Sequence, residues 1–361
     1  MRLTSVEVIP YALPFRRPYV TARGTLTRRE MVLLRLTTDE GLIGLGEAVP
    51  LSMRGGATLE QVVRELREAD ESEALHDLIK GGHLDYSFAE MIDPRLTLAP
   101  PSLSAVLGAL DDLRAQLDGD AEEDDQIEVH CNATLVAGSP AAVAADALEW
   151  AEEGFTTFKL KLGTGEDLEQ VRAVRAAIGS DAKIRVDANA AWSAQTAARL
   201  LNELEPFDVE LAEQPVATME EAAQLAGLTS IPLCGDESIA CRDDAIEAIG
   251  LGAFQVTGIK LSKVGGLYAG LEIAETMNSY ASSALDGPVG IAAGGWLAAS
   301  VDHENALLNR PARAHGLATQ RLFSATIAAV ECELRNGMLR LPRGPGLGVV
   351  IDEDALTAHR L

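Results

Sequence analysis

The stretch KIRVDANAAWSAQTAARLLNELEPFDVELAE, residues 183–213, contains one complete copy of a repeated strand-helix pattern. Two short β-like runs, 183–186 and 209–212, lie on either side of a segment with helical character. An acidic residue follows each run directly, Asp187 after the first and Glu213 after the second. Repetition of this unit predicts parallel strands with polar side chains at their carboxyl ends.

The same alternation extends in both directions, from residue 127 to about residue 318. Runs that favour strands are separated there by stretches of helical periodicity, which is typical of βαβ units. The eight runs are 127–134, 156–162, 183–186, 209–212, 233–235, 254–261, 280–284 and 314–318. Because a closed barrel requires eight parallel strands, we predict an α/β fold with a (β/α) barrel over residues 126–336.

The first part of the chain has a different pattern. Residues 3–8, 31–36 and 41–49 favour short strands, and residues 59–80 and 102–117 carry apolar side chains at helical spacing. Strands followed by helices predict a separate α+β domain over residues 1–125. Its acid-rich end, 118–125, is interpreted as a solvated connection. Short extended pieces in 337–361 are expected to return to this domain.

Composition limits the classes of partner. The formal net charge of −25 argues against nucleic acid and anionic membranes as partners. The charge fits either a solubilising surface or adaptation to a salty cytoplasm. The start of the chain lacks the apolar stretch of a signal peptide, and glycines break the apolar stretch 289–301, so we expect a cytoplasmic protein. The four cysteines form no CxxC pair and are interpreted as reduced core thiols.

Charged residues interrupt the ends of five consecutive predicted barrel strands. They are Lys161, Asp187, Glu213, Asp236 and Lys260, spaced by 26, 26, 23 and 24 residues, which is one strand-helix unit each time. The carboxyl ends of barrel strands meet at one mouth, so these side chains are expected to lie together. The alternative is that each acid is an ordinary helix cap or surface group.

Three of these groups are carboxylates, which repel each other unless a cation lies between them. Asp187, Glu213 and Asp236 offer only oxygen atoms, a set that favours Mg²⁺, or alternatively Mn²⁺, over zinc. Three protein ligands would leave positions open for a substrate carboxylate. We therefore predict a magnesium site at the mouth of the barrel.

The lysines form the second half of the predicted site. Lys159 and Lys161 are two residues apart on one strand and therefore point to the same face. Mutual repulsion and burial predict a lowered pKa for one of them, which would suit a general base. Lys260 would face them across the mouth, and Lys263 is predicted to point away. With a metal, these groups suit removal of the proton α to a carboxylate of a small acid.

Five motifs resemble those of the enolase superfamily, in its muconate lactonizing enzyme subgroup. They are Phe158-Lys159-Leu160-Lys161-Leu162-Gly163, Val186-Asp187-Ala188-Asn189, Ala212-Glu213-Gln214-Pro215, Gly235-Asp236-Glu237-Ser238 and Ile259-Lys260-Leu261-Ser262-Lys263. Residues 44–50, GLGEAVP, also resemble the third strand of that superfamily's capping domain, so the resemblance covers nearly the whole chain. It implies a barrel of the modified TIM type with an α+β capping domain.

The resemblance also implies roles for individual residues. Lys161 would be the general base, Lys159 would help hold it and the enediolate, and Lys260 would act from the opposite side. Asp187, Glu213 and Asp236 would hold Mg²⁺. Asn189, two residues beyond Asp187, is a candidate for substrate binding.

The reaction within the subgroup is less constrained. Residues 282–286, 289–294 and 315–319 resemble o-succinylbenzoate synthases of menaquinone biosynthesis, which often carry Glu where this chain has Asp286. This favours loss of water to form o-succinylbenzoate, with Ser283 as a substrate-binding candidate. A dipeptide epimerase or N-acylamino acid racemase is the alternative, although the Asp-x-Asp pair usual on the eighth strand of dipeptide epimerases is absent. A muconate-type cycloisomerase and a non-enzymatic acid-binding barrel rank lower.

Two segments, 18–29 and 52–56, are predicted as loops beside the capping strands that could close over the barrel mouth. Arg54, Arg23 or Arg28 could then bind a second substrate carboxylate in bidentate geometry. Solvated loop arginines are the alternative. The sequence leaves the oligomeric state open, with a homo-oligomer among the alternatives.

Overall fold

The structure, a computed structural model, describes residues 1–79, 97–119 and 126–361. It begins with an antiparallel sheet of β1 (Leu3–Thr21), β2 (Gly24–Thr38) and β3 (Ile43–Ala48). The alternating pattern predicts all three, but β1 and β2 are much longer than expected. The prediction of a loop over residues 18–29 is wrong, because Tyr19 pairs with Leu26 and the strands continue to a tight turn.

Helices cover one face of this sheet. They are Leu59–Glu71, Ala74–Ile79 and Pro100–Asp118, and a 3₁₀ helix, Ser52–Arg54, precedes them. The helix Pro100–Asp118 packs directly on β3, where a Cβ on Gly46 would lie 1.9 Å from the backbone oxygen of Ala105. Only glycine permits this approach. Residue 80 of the predicted helix and residues 120–125 of the predicted connection lie outside the described residues.

A parallel sheet forms the barrel, and neighbours in sequence are neighbours in the sheet. β4 (Glu128–His130) precedes this sheet in the chain and does not belong to it. The strands of the sheet are β5 (Ala133–Leu135), β6 (Thr157–Lys161), β7 (Lys183–Asp187), β8 (Val209–Glu213), β9 (Leu233–Gly235), β10 (Val256–Ile259) and β11 (Ser279–Ala281). The barrel strands β6 to β11 occupy six of the runs that the sequence predicts.

The first and eighth runs differ from the prediction. Run 127–134 divides in two, because β4 pairs antiparallel with a C-terminal strand and only β5 enters the barrel. Run 314–318 forms no continuous strand. His315 bridges to Cys131 and Gly316 bridges to Ser282, both in parallel sense, so this segment closes the barrel through isolated bridges.

Helices surround the barrel and connect its strands. They are Pro140–Glu152, Asp167–Ile178, Ala194–Leu204, Met219–Ala226, Arg242–Leu251, Leu261–Val264, Leu267–Thr276 and Pro288–Leu307, with 3₁₀ turns at Glu205–Phe207 and Ala318–Leu322. Side-chain hydrogen bonds at the N-cap position fix where several of these helices begin. Ser139 and Ser193 accept from backbone amides, and Thr218 forms a capping box with Glu221.

The C-terminal segment contacts both parts of the chain. Its strands are β12 (Ala328–Val330), β13 (Glu333–Arg335), β14 (Met338–Arg340) and β15 (Val350–Ile351), followed by the helix Glu353–His359. β14 pairs with β4, and Arg360 bridges to Tyr11 of β1. Tyr11 and Leu13 also belong to the apolar core shared with the barrel. The division into 1–125, 126–336 and 337–361 stays a prediction.

The cysteines and the helix lengths can be compared with the expectations from the sequence. Cys131, Cys234 and Cys332 are buried and reduced as predicted, whereas Cys241 is an exposed free thiol, because it lies just before the helix Arg242–Leu251 at the surface. Among the described residues, no helix is long and apolar enough to cross a bilayer.

Candidate active site

The strand register brings the predicted charged residues to one level. Lys161 lies opposite Asp187 in the pairing of β6 with β7, and Asp187 lies opposite Glu213 in the pairing of β7 with β8. Asp236 directly follows β9 and Lys260 directly follows β10. All five side chains are buried, because they point from the ends of central strands into the barrel mouth.

Short ion pairs join the lysines to the acids. The Lys159 ammonium lies 2.5 Å from Glu213 Oε2 and 2.9 Å from Asp187 Oδ2. Lys161 Nζ donates to Asp187 Oδ2 at 2.6 Å, and Lys260 Nζ donates to Asp236 Oδ2. The three lysines and three acids that the sequence singled out therefore form one buried cluster.

Lys263 belongs to the same cluster, so the prediction that it points away is wrong. Its side chain is 9% exposed, and its ammonium donates to the backbone oxygen of Asp236 at 2.6 Å and to Asp236 Oδ1 at 3.1 Å. Strand alternation does not apply here, because β10 ends at Ile259 and a helical turn begins at Leu261. Four ammonium groups thus face three carboxylates.

The expectation of a lowered lysine pKa does not hold in this structure. Burial acts against the charge, yet the pKa of Lys159 and that of Lys161 are raised above the ordinary value, because carboxylates surround them, Asp187 foremost. Burial also opposes the charge of Asp187, but Lys159 and Lys161 lower its pKa. The cluster is therefore a set of ion pairs in which the carboxylates outweigh lysine–lysine repulsion.

Tyr280 is a site residue that the sequence reasoning missed. Its hydroxyl donates to Glu213 Oε2 at 2.6 Å, and it is fully buried in the barrel interior. Burial raises the pKa of Tyr280 well above its ordinary value, so the hydroxyl remains a neutral donor. The available signal was its position on the seventh predicted strand, two residues before Ser282, on the face that lines the mouth.

The cluster offers donors that suit a hard cation. Glu213 Oε1 is buried and has no hydrogen-bond partner among the described residues, which is costly unless a further partner binds. The three carboxylates supply only oxygen, the donor that Mg²⁺ prefers. Within the described ranges, no three acidic, histidine or cysteine side chains are already arranged around a metal position. In this structure the three carboxylates are paired with lysines. Their oxygen atoms suit Mg²⁺, and binding of the metal would require these ion pairs to lengthen.

The three predicted substrate-binding residues have different surroundings. Asn189 lines the mouth, where its Oδ1 accepts from Lys161 Nζ at 3.2 Å. Ser283 also lines it, but its hydroxyl already donates to Asp286 Oδ2 at 2.6 Å and accepts from the amides of Leu285 and Asp286. The side chain of Arg54 lies outside the described part of the structure. Substrate binding by these residues stays a prediction.

The two other arginines considered from the sequence lie in different places. Arg23, at the tip of the β1–β2 hairpin, reaches the barrel mouth and donates from Nε to the backbone oxygen of Asn189 at 3.2 Å. It lies 3.7 Å from a carboxylate oxygen of Glu237. Arg28 is 56% exposed and pairs with Glu30 at 2.7 Å. Arg23 is therefore the one of these two at the mouth.

A cavity of about 70 Å³ lies above the cluster. Its walls carry five cationic side chains, namely Arg23, Arg29, Lys159, Lys161 and Lys260. No acidic side chain of the described residues lines it. The remaining wall is largely apolar or hydroxylic, with Tyr19, Leu26, Leu51, Met53 and Thr319 among its residues.

A larger cavity of about 230 Å³ lies between the helices Pro100–Asp118 and Pro288–Leu307. Its lining includes Glu47, Asp111 and Asp112 but none of the clustered lysines or their acidic partners. It is larger than the cavity above the cluster. We assign the candidate active site to the smaller cavity, because charged groups able to perform chemistry converge there.

Comparison with protein families agrees with this architecture. The model for enolase C-terminal domain-like proteins matches residues 142–355. The model for the N-terminal domain of the mandelate racemase and muconate lactonizing enzyme family matches residues 3–88.

Individual relatives have several activities. The chain is 38% identical to an o-succinylbenzoate synthase of Thermobifida fusca over 206 residues, which covers 55% of this chain and 62% of that protein. It is 31% identical to an N-succinylamino acid racemase of Amycolatopsis, covering 97% and 95% of the two chains. The crystal structure of an Enterococcus faecalis dipeptide epimerase with Mg and L-Leu-L-Tyr superposes with a TM-score of 0.84, at 26% identity, covering 97% of this chain and all of that one.

These matches confirm the modified TIM barrel with its capping domain, and they extend over both parts of the chain. The relatives include lyases, racemases and epimerases, so the family is shown but no single reaction is. The chain belongs to the enolase superfamily, in its muconate lactonizing enzyme subgroup, and is an enzyme of that kind.

Proposed function

We propose that this enzyme removes the proton α to a carboxylate on a small substrate that carries two acid groups. The observation that carries the proposal is the cavity wall, with five cationic side chains and no acidic one among the described residues. One acid group would bind beside the lysine cluster, and the second would lie toward Arg23 and Arg29. In a chain of net charge −25, such a cationic cavity selects anions locally.

Lys161 is the proposed base. It lies at the cavity floor on β6 and holds a single close carboxylate contact, to Asp187. Lys260 lines the same cavity directly after β10 and would act on the other side of the substrate carbon. Lys159, between Asp187 and Glu213, would add positive charge next to the enediolate that proton removal creates.

Asp187, Glu213 and Asp236 are the residues proposed to hold Mg²⁺. The metal would supply positive charge against the developing enediolate. Support comes from the buried, unpartnered Glu213 Oε1 and from the magnesium in the related dipeptide epimerase structure. Carboxylates engaged in this way would hold the lysines less tightly, which favours the neutral amine that a base requires.

The proposed reaction is dehydration of a cyclohexadiene precursor to o-succinylbenzoate. Lys161 would take the proton α to the carboxylate, the C–O bond to the β-hydroxyl would break with its electron pair, and the leaving hydroxide would take that proton from the Lys161 ammonium to depart as water. The products are an aromatic ring and the neutral amine. The precursor carries two carboxylates, and the cationic side chains of the cavity wall support binding of such a substrate. The Thermobifida fusca relative carries the corresponding name.

Racemisation of N-succinylamino acids is the second candidate. These substrates also carry two carboxylates, and Lys161 and Lys260 line the cavity from different strands, as exchange of a proton across one carbon requires. The Amycolatopsis relative, which aligns over nearly the whole chain, carries this name. A dipeptide is a poorer substrate, because its ammonium group would meet cations and no described acidic side chain.

The experiment is an assay of the purified enzyme with Mg²⁺ against three substrates: the cyclohexadiene precursor, N-succinylamino acids and dipeptides. We expect turnover of the precursor, with or without racemisation of the N-succinylamino acids, and none in Lys161→Ala. Turnover of dipeptides alone would overturn the substrate class. Full activity after removal of divalent metal would overturn the metal ligands.

A further inference from the structure

The geometry points to Tyr280 as a positioning residue that fixes the Glu213 carboxylate so that one of its oxygens faces the divalent cation. This inference rests on the proposed function, because it concerns a residue that acts through a proposed metal ligand. Tyr280 is not among the residues that line the cavity, and it contacts the charged cluster through Glu213.

The two oxygens of Glu213 have opposite environments. Oε2 receives hydrogen bonds from the Tyr280 hydroxyl at 2.6 Å and from Lys159 Nζ at 2.5 Å. Oε1 is buried and receives no hydrogen bond from the described residues, and the Lys260 ammonium lies 4.0 Å from it. Two donors on one oxygen prevent the carboxylate from rotating, so Oε1 remains available to a cation.

The Tyr280 ring is itself held in place on several sides. Gly258 pairs with Tyr280 across β10 and β11, and a Cβ on Gly258 would lie 3.2 Å from the tyrosine oxygen. The Arg185 guanidinium lies 4.7 Å from the ring centroid and is bound to Glu210 at 2.6 Å. Cys234 Sγ lies 3.7 Å from the hydroxyl. The ring therefore presents its hydroxyl to Glu213 in one orientation.

The test compares divalent-metal affinity in Tyr280→Phe with that in the unaltered enzyme. A matched control is Tyr11→Phe, because Tyr11 is equally buried and donates to a different carboxylate, Glu47 Oε2, at 2.7 Å. Mn²⁺ is titrated calorimetrically into each metal-free protein. We expect about tenfold weaker binding in Tyr280→Phe, the usual cost of losing a group that orients a ligand, and unchanged binding in Tyr11→Phe.

Kinetics give a second measurement. In Tyr280→Phe, the metal concentration for half-maximal activity should rise by the same factor while kcat at saturating metal largely recovers. Gly258→Ala, which crowds the hydroxyl but keeps every polar group, should weaken Mn²⁺ binding less, and it replaces Tyr280→Phe if that variant does not fold.

Equal Mn²⁺ affinity in the unaltered enzyme and Tyr280→Phe would overturn the role of Tyr280 and leave the proposed function intact. A weakening shared by Tyr11→Phe would also overturn it, since the effect would then be general destabilisation. An unaltered enzyme that binds neither Mn²⁺ nor Mg²⁺ would overturn the proposed function itself, and this role with it.

Discussion

Lys161 Nζ lies 2.6 Å from Asp187 Oδ2, and the two residues occupy paired positions on β6 and β7. The proposed base and a proposed metal ligand are thus each other's partner. Asp187 is fully buried, so the pair exists away from solvent, where each charge needs a partner. Metal binding and deprotonation of the lysine are therefore expected to be coupled.

Replacement of this lysine tests its role as the base. We expect Lys161→Ala to lower kcat by about 100- to 10,000-fold, because a positioned general base typically contributes a factor of this size. Lys183→Ala is the matched control, since Lys183 lies at the end of β7 opposite to Asp187 and is 58% exposed. Circular dichroism of both variants checks the fold. Comparable losses in the two variants, or full activity in Lys161→Ala, would refute this assignment.

Asp236 is a buried carboxylate whose ion pairs are expected to stabilise the folded protein. It binds both Lys260 and Lys263, so Asp236→Asn leaves two buried ammonium groups facing a neutral amide. We expect the free energy of unfolding to fall by about 3–5 kcal/mol, the usual cost of breaking a buried pair. Thermal unfolding with and without Mg²⁺ should also show that the stabilisation by Mg²⁺ is lost. Asp181→Asn, at an exposed position, should change neither quantity.

The carboxyl group of Glu47 joins the capping domain to the barrel. Its oxygens accept from the Tyr11 hydroxyl at 2.7 Å and from the amide of Gly287, at the start of the helix Pro288–Leu307, at 2.6 Å. Burial, with a further contribution from Asp286, raises the pKa of Glu47 from 4.5 to about 7. Deprotonation of Glu47 is therefore less favourable in the folded protein than in the unfolded chain.

This raised pKa gives a signed pH dependence. Glu47 contributes stability that is complete below its ordinary pKa and is lost as the pH rises through about 7. Relative to Glu47→Gln, the unaltered enzyme should lose on the order of 3 kcal/mol between pH 4 and pH 8. Urea unfolding at the two pH values measures the difference. Parallel pH profiles for the two proteins would contradict it, and Glu333→Gln, which is exposed on β13, serves as control.

The cysteines provide a check on the fold that is independent of function. Burial raises the pKa of Cys131, Cys234 and Cys332 to about 12, and each is enclosed by the core. Only the thiolate reacts readily with a disulfide reagent. Under native conditions we expect one thiol, that of Cys241, to react rapidly, and all four to react in denaturant. Rapid labelling of the Cys241→Ser variant would contradict the described packing.

The sequence predicts the residues that sit at strand ends better than it predicts the contacts beyond them. Asp187, Glu213 and Asp236 recur with the strand-helix unit, so periodicity alone brings them together. Lys263 escaped this reasoning, because its position depends on β10 ending at Ile259. The pairing of β4 with β14 joins segments about 200 residues apart, and no local pattern reports such a contact.

Uncharged site residues carry a weaker signal in the sequence than charged ones. Tyr280 resembles an ordinary buried strand residue in the sequence, and only the barrel's closure places its hydroxyl against Glu213. The raised pKa of Lys161 likewise depends on distances to carboxylates that the spacing of residues does not give. Local periodicity therefore identifies the candidate site, whereas its internal electrostatics require the three-dimensional arrangement.

Proton removal by Lys161 is tested by following the α C–H bond in D₂O, with the cyclohexadiene precursor and N-succinylamino acids as substrates. We expect Mg²⁺-dependent dehydration of the precursor or deuterium incorporation at the α-carbon of an N-succinylamino acid, and loss of both in Lys161→Ala. Absence of both reactions in the unaltered enzyme with Mg²⁺, or reactions that persist undiminished in Lys161→Ala, would contradict it.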